Sequence, residues 1–180
     1  MANHSLSSSH LRRTWVLRLA LILLLLTGLA VSLWQLGTVY MQPPEQREAL
    51  ELLWQKLHAE PDSVGGNWLR TMSPAMQRVQ GDLIWSQEQQ LGVMRLLNLP
   101  DPPKGQHYQL WIYDSRSPDN MPFASTTLDQ GSGKQERYVR FQGKSDTPIT
   151  APYKFVLTQE PDNDTVASAS EARVLLMVQP

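Results

Sequence analysis

From Leu19 through Pro44 the chain carries no charged residue, and the heart of that run reads LALILLLLTGLAVSLWQLG. At about 1.5 Å per helical residue, Leu19 to Leu36 spans roughly 27 Å, close to a hydrocarbon core of about 30 Å. Trp15 and Tyr40 flank the run with the aromatic residues that favour the two interfaces. Inside a bilayer a helix keeps every backbone polar group paired within its own segment. The run therefore predicts a single transmembrane helix over residues 15–40, and whatever else the chain builds must lie on one side of a membrane or the other.

The flanks set the expected orientation. Arg12, Arg13 and Arg18 precede or enter the run, and no acidic residue occurs before Glu45. Positive charge stays cytoplasmic, so the N-terminus is expected inside and residues 41–180 outside. Arg18 lies just within the apolar run, where its stem can snorkel back to the headgroups. A cleaved signal peptide is the rival reading, since Ala30-Val31-Ser32 offers the small residues a signal peptidase requires. Against cleavage, the apolar run continues through Leu33, Trp34 and Leu36. Thr27 and Gly28, with Ala30 and Ser32, form a small-residue patch where a second helix can approach closely.

Charge excludes one broad class of partner. The 16 Lys and Arg nearly balance the 17 Asp and Glu, for a net charge of −1, and the basic residues beyond the N-terminus are scattered. Nucleic-acid binding has no electrostatic footprint here. The chain has no cysteine, which removes thiolate metal sites and cysteine nucleophiles and suits an exported domain without disulfides. The four histidines, at 4, 10, 58 and 107, have no metal-ligand spacing. No nucleophile elbow, phosphate loop or HExxH motif occurs, so neither an enzyme nor a cofactor is expected. Glu160, Asp162 and Asp164 cluster in TQEPDND, where they read as a solvated turn after a strand, with weak calcium binding as the alternative.

Four segments follow from the pattern. Residues 1–14 are a polar stub expected on the cytoplasmic side, 15–40 the membrane helix, 41–66 a short helix and linker, and 67–180 one all-β domain. In the third segment Pro43-Pro44 open a helix, and Leu50, Leu53, Trp54 and Leu57 repeat at i, i+3, i+4, i+7 to give one apolar face. That face is expected to pack on the folded domain or to rest on the bilayer surface. Pro61 and Gly65-Gly66 are expected to break the chain. Beyond them, β-prone runs alternate with turn residues at 67–72, 80–86, 90–97, 107–114, 123–128, 137–141, 153–159 and 172–178. Tyr108, Leu110 and Ile112 alternate with Gln109, Trp111 and Tyr113, the period-two signature of a half-buried strand. Seven or eight such strands predict an antiparallel β-sandwich, with a partly closed barrel as the alternative. Trp68, Trp85 and Trp111 each fall within a predicted strand and are expected to pack in the core or on a sheet face.

The stretch LLNLPDPPKGQHYQLWIYD (96–114), followed by PYKFVLTQEPD (152–162), resembles the C-terminal domain of the anti-sigma-K factor RskA family. Leu99, Pro100, Pro103, Gly105, Tyr108, Gln109, Leu110 and Trp111 carry the first motif. Phe155, Val156, Thr158, Glu160 and Pro161 carry the second. On their own chemistry these are scaffold residues, with prolines stiffening a connection and Gly105 permitting a turn.

The resemblance implies a single-pass protein of the bacterial inner membrane with a periplasmic C-terminal domain, a regulator of sigma factor activity whose family releases its cytoplasmic domain by successive proteolysis. The family's sigma-binding helices have no counterpart in residues 1–14, which are shorter than a helix stable in water. Any link to a sigma factor, direct or indirect, is therefore expected to run through the membrane helix or the outer domain to another membrane or periplasmic protein. The competing expectation is a membrane-anchored structural or protein-binding domain with no sigma-factor role.

Overall fold

The computed structural model describes residues 18, 21–29, 43–117, 121–143, 148–162 and 173–180. The chain divides into two units, Met1–Met41 and Gln42–Pro180. In the first, the described residues are helical (α1, described at 18 and 21–29), and the leucines from Leu21 to Leu29 present their side chains outward, uncovered. Arg12, Arg13 and most of the expected 15–40 helix lie outside the described residues. Among those described, no helix is long and apolar enough to cross a membrane.

The second unit opens with α2 (Pro44–Ala59). Pro43 takes the N-cap position with an extended backbone and Pro44 the first helical position, where a missing N–H costs nothing. Then come β1 (Ser63–Asn67), β2 (Leu69–Arg70), a 3-10 turn (Pro74–Met76), β3 (Gln80–Ser86), β4 (Leu91–Leu97), β5 (Gln106–Asp114), β6 (Phe123–Leu128), β7 (Arg137–Gln142), β8 (Pro152–Pro161) and β9 (Arg173–Val178). They form two antiparallel sheets, ordered β1-β3-β4-β7 and β2-β9-β8-β5-β6.

The two sheets share one core. Leu83, Trp85, Met94, Leu96 and Phe141 from the four-stranded sheet meet Tyr108, Leu110, Ile112, Phe155, Leu157 and Leu176 from the five-stranded one. Trp85 and Phe141 stack at 5.6 Å between ring centroids, and Phe155 meets Phe141 edge-on at 6.3 Å. Both arrangements satisfy the aromatic quadrupole.

The odd-numbered positions of β4 explain the third layer. Gly92, Met94 and Leu96 face the core, so Leu91, Val93 and Arg95 face out, and β4 is apolar on both sides. Ile84, Leu91, Val93 and Tyr138 on that outer face are covered by Leu50, Leu53, Trp54 and Leu57 of α2. The apolar face of α2 thus lies on the four-stranded sheet.

Three local expectations change. Gly65-Gly66 lie within β1 instead of ending a linker, because a Cβ at Gly65 would sit 2.1 Å from the Leu83 carbonyl oxygen. Glycine here permits close pairing with β3, and the sandwich starts before residue 67. Trp68 stands between β1 and β2, buried, with its indole N–H donating to the Arg95 carbonyl at 3.1 Å. Glu160 belongs to β8 and is buried, so the expected solvated turn begins only at Asp162; Asp164 lies outside the described residues.

Candidate functional site

Two side-chain assemblies stand out, one on the outer face of each sheet. The first clamps α2. Asp82 and Arg95 are direct cross-strand partners in the β3–β4 ladder, so their side chains emerge side by side on the outer face. Arg95 Nη2 meets Asp82 Oδ2 at 2.8 Å, and Arg95 Nη1 reaches Glu136 at 3.5 Å. The other Asp82 oxygen accepts the Trp54 indole N–H at 2.9 Å. The Arg95 guanidinium lies 4.8 Å from the Trp54 ring centroid, a cation–π geometry, while Arg47 of α2 pairs with Glu136 at 3.7 Å. His58 and Tyr138 close around the same indole at 4.2 and 6.2 Å.

Electrostatics follow from this packing. Burial works to lower the Arg95 pKa, but the hydrogen bond and charge of Asp82, with Glu136, outweigh it, so the pKa is raised and the cation secured. Burial, with Glu136 and Glu51 nearby, raises the Tyr138 hydroxyl. Half-buried ion pairs with several hydrogen bonds are where such contacts contribute most.

The second assembly joins the two sequence motifs. β5 and β8 pair with Gln109 opposite Thr158, Trp111 opposite Val156 and His107 opposite Glu160. Tyr108, Leu110 and Ile112 face the core, so Gln109 and Trp111 face out, beside Val156, Thr158 and Glu160. The Trp111 indole N–H lies 3.0 Å from Thr158 Oγ1 and 2.9 Å from Glu160 Oε1. The Thr158 hydroxyl lies 2.6 Å from Glu160 Oε1 and 3.2 Å from the Gln109 carbonyl, and its single proton serves one of them at a time. The Glu160 side chain, 3% exposed, is thereby held by neutral donors. Gln109 donates to the Leu110 carbonyl at 2.8 Å.

The remaining motif residues build the connection into β5. Leu99 is buried in the core; its N–H donates to Ser132 Oγ at 2.9 Å, and its carbonyl accepts from the Ser132 N–H at 2.9 Å. The Pro100 carbonyl accepts the Tyr108 hydroxyl at 3.1 Å, and the Pro103 carbonyl accepts the Gln106 N–H at 3.0 Å. Burial, with Asp101 adding to it, pushes the Tyr108 pKa up to about 12. Gly105 has φ +78, and its carbonyl accepts from the Asp162 N–H at 3.0 Å, so the residue after Pro161 is tied to the turn before β5. Phe155 and Val156 are buried on opposite faces of β8. The structure thus brings both motifs to one strand pair, while Arg18, Thr27 and Gly28 belong to the other unit. There, the Thr27 hydroxyl lies 3.0 Å from the carbonyls of both Leu23 and Leu24, and a Cβ at Gly28 would meet nothing within 4 Å.

The Trp54, Asp82, Arg95 and Glu136 clamp went unread in the sequence. Its legible signal is β4 itself, whose apolar residues on both faces require a cover outside the sandwich. Among the described residues no group of His, Asp or Glu is arranged to hold a metal ion. Both assemblies fasten elements to one another and offer no paired nucleophile and base.

No curated protein and no solved structure gives a significant match to the chain. A family model described as anti-sigma-K factor rskA, C-terminal, matches residues 15–172, a span that takes in the uncharged run, α2, the clamp and both motifs. On that match, the chain belongs to the RskA C-terminal family.

Proposed function

We propose that this chain is a single-pass inner-membrane protein, N-terminus cytoplasmic, whose periplasmic sandwich regulates sigma factor activity through a membrane or periplasmic partner. The family is a regulatory one of anti-sigma type, which supplies the coarse role. The observation that carries the finer reading is the clamp. α2 begins at Pro44, next in sequence to the uncharged run, and is fastened to the outer face of the four-stranded sheet by Trp54, Asp82, Arg95 and Glu136. A helix held this way moves with the sandwich, so a binding event on the outer domain is felt at α2, the element that follows the uncharged run in sequence. The outward leucines of α1 and the arginines before them support the membrane placement and its orientation.

Reporter fusions after residue 10 and after Pro180 test the topology; periplasmic activity at residue 10 overturns it. Sigma-dependent transcription, compared between cells with and without the chain, tests the regulatory role. An unchanged transcript profile, with the topology intact, leaves a membrane-anchored protein-binding domain in its place. Gly28→Leu, measured beside deletion of residues 2–10, locates the contact. Loss of regulation from the deletion alone places it on the cytoplasmic side, against this proposal.

A further inference from the structure

β6 and β7 are each the last strand of their sheet, and they meet along one flank of the sandwich. A groove of about 460 Å³ lies there, lined by Ser125, Thr126, Arg140, Phe141, Gln142 and Gly143. Ser125 Oγ donates to the Gln142 carbonyl at 2.6 Å, which fixes the direction of the strand edge. The Gln142 carbonyl points away from β4, toward β6. In an antiparallel strand the N–H and C=O of one residue point to the same side, and the side alternates residue by residue. Arg140, two positions back, therefore also directs its N–H and C=O out of the sheet. Its side chain is exposed and makes no hydrogen bond or ion pair among the described residues.

We propose that the β7 edge at Arg140 is a binding site for an extended acidic segment of a partner protein, which adds a strand to the four-stranded sheet. A partner residue opposite Arg140 exchanges two main-chain hydrogen bonds with it, and strand addition draws its affinity from such bonds. A carboxylate on that residue lies across from the guanidinium, at the cross-strand distance where opposite charges attract. A second copy of this chain is the disfavoured occupant. In the symmetric antiparallel register centred on Arg140, two β7 strands set Arg140 opposite Arg140, and like charges directly opposite destabilise a sheet. In that register the edge is guarded against its own copies and open to acid. Because the Gln142 carbonyl is already held by Ser125, the added strand pairs on the stretch centred on Arg140 and not along the full length of β7.

The probes are blocked hexapeptides of alternating threonine and glutamate, of alternating threonine and lysine, and the glutamate peptide N-methylated at alternate amides. Each is titrated against the full chain in detergent solution, with hydrogen exchange read over residues 137–143. The glutamate peptide is expected to bind and to slow exchange at β7. Arg140→Gln is expected to weaken it by about tenfold, and Arg140→Glu to reverse the preference toward the lysine peptide. The N-methylated peptide is expected to lose binding, because the ladder donors are gone. Equal binding of the acidic and basic peptides, binding that survives N-methylation, or no binding overturns the proposal. Concentration-dependent self-association abolished by Arg140→Glu also overturns it, in favour of pairing between copies.

Discussion

Trp54→Phe isolates the hydrogen bond by which the Trp54 indole ties α2 to the sheet. Phenylalanine keeps an aromatic ring between His58, Tyr138 and the Arg95 guanidinium but removes the N–H that meets Asp82 Oδ1 at 2.9 Å. A hydrogen bond to a charged group contributes about 1.5–3 kcal/mol. Asp82 keeps Arg95 on its other oxygen, and the Arg95 side chain is 29% exposed, so water reaches part of the cluster. The expected loss is therefore at the lower end, about 1.5 kcal/mol. Trp54→Ala also gives up the indole's packing and its cation–π contact, for a total of about 3–4 kcal/mol. Urea unfolding of residues 43–180 gives the global loss, and hydrogen exchange of the α2 amides shows whether the helix loosens first. A double-mutant cycle with Asp82→Asn should return a coupling of about 1 kcal/mol. A Trp54→Phe loss under about 0.5 kcal/mol, with α2 exchange unchanged, would refute the clamp as the fastening of the helix.

Cutting the chain to residues 63–180 strips α2 from Ile84, Leu91, Val93 and Tyr138; that fragment should bind a hydrophobic dye and unfold at lower urea than 43–180, and equal midpoints would count against the third layer. Thr158→Val leaves the Trp111 N–H and the Glu160 carboxylate one neighbour short in a buried site, and should cost about 1–3 kcal/mol by denaturant unfolding. Trp111→Ala, which also opens a cavity, should cost about 3–5 kcal/mol. Because folding raises the Tyr108 pKa from 10.0 to about 12, its neutral form is favoured when folded. That contribution is full below pH 10 and is lost as pH rises toward 12. Phenolate absorbance should show a late-ionising phase that Tyr108→Phe removes.

Much of this fold was legible locally. β-prone runs between turn residues marked β3 through β9, with period-two alternation clearest in β5, where the strand sorts its side chains between two faces, and the mark does not depend on what lies opposite. FASTTL coincides with β6, Pro43-Pro44 opens α2, and Gly105 takes the positive φ its turn requires. The apolar face of α2 was legible for the same reason, at helical period. The uncharged run before it states a solvent preference residue by residue, which needs no fold at all.

The tertiary structure decided which faces meet. β4 pairs with β7 across two intervening strands, and β8 takes its place between β5 and β9. The pairing of β8 with β5 brings Trp111 to Glu160, and the packing of α2 on the outer face of the four-stranded sheet brings Trp54 to Asp82. In sequence, Glu160 looked like part of a wet turn and Gly65-Gly66 like a break, since an acid beside proline and a glycine pair commonly end elements. In the fold, the Trp111 and Thr158 donors offset the cost of burying that carboxylate, and the missing Cβ of Gly65 lets β1 lie against β3. Periodicity says that a face is apolar or that a backbone is permissive. Only long-range packing supplies the partner that makes a buried charge tolerable or a missing side chain necessary, because that energy belongs to contacts between segments and to neither segment alone.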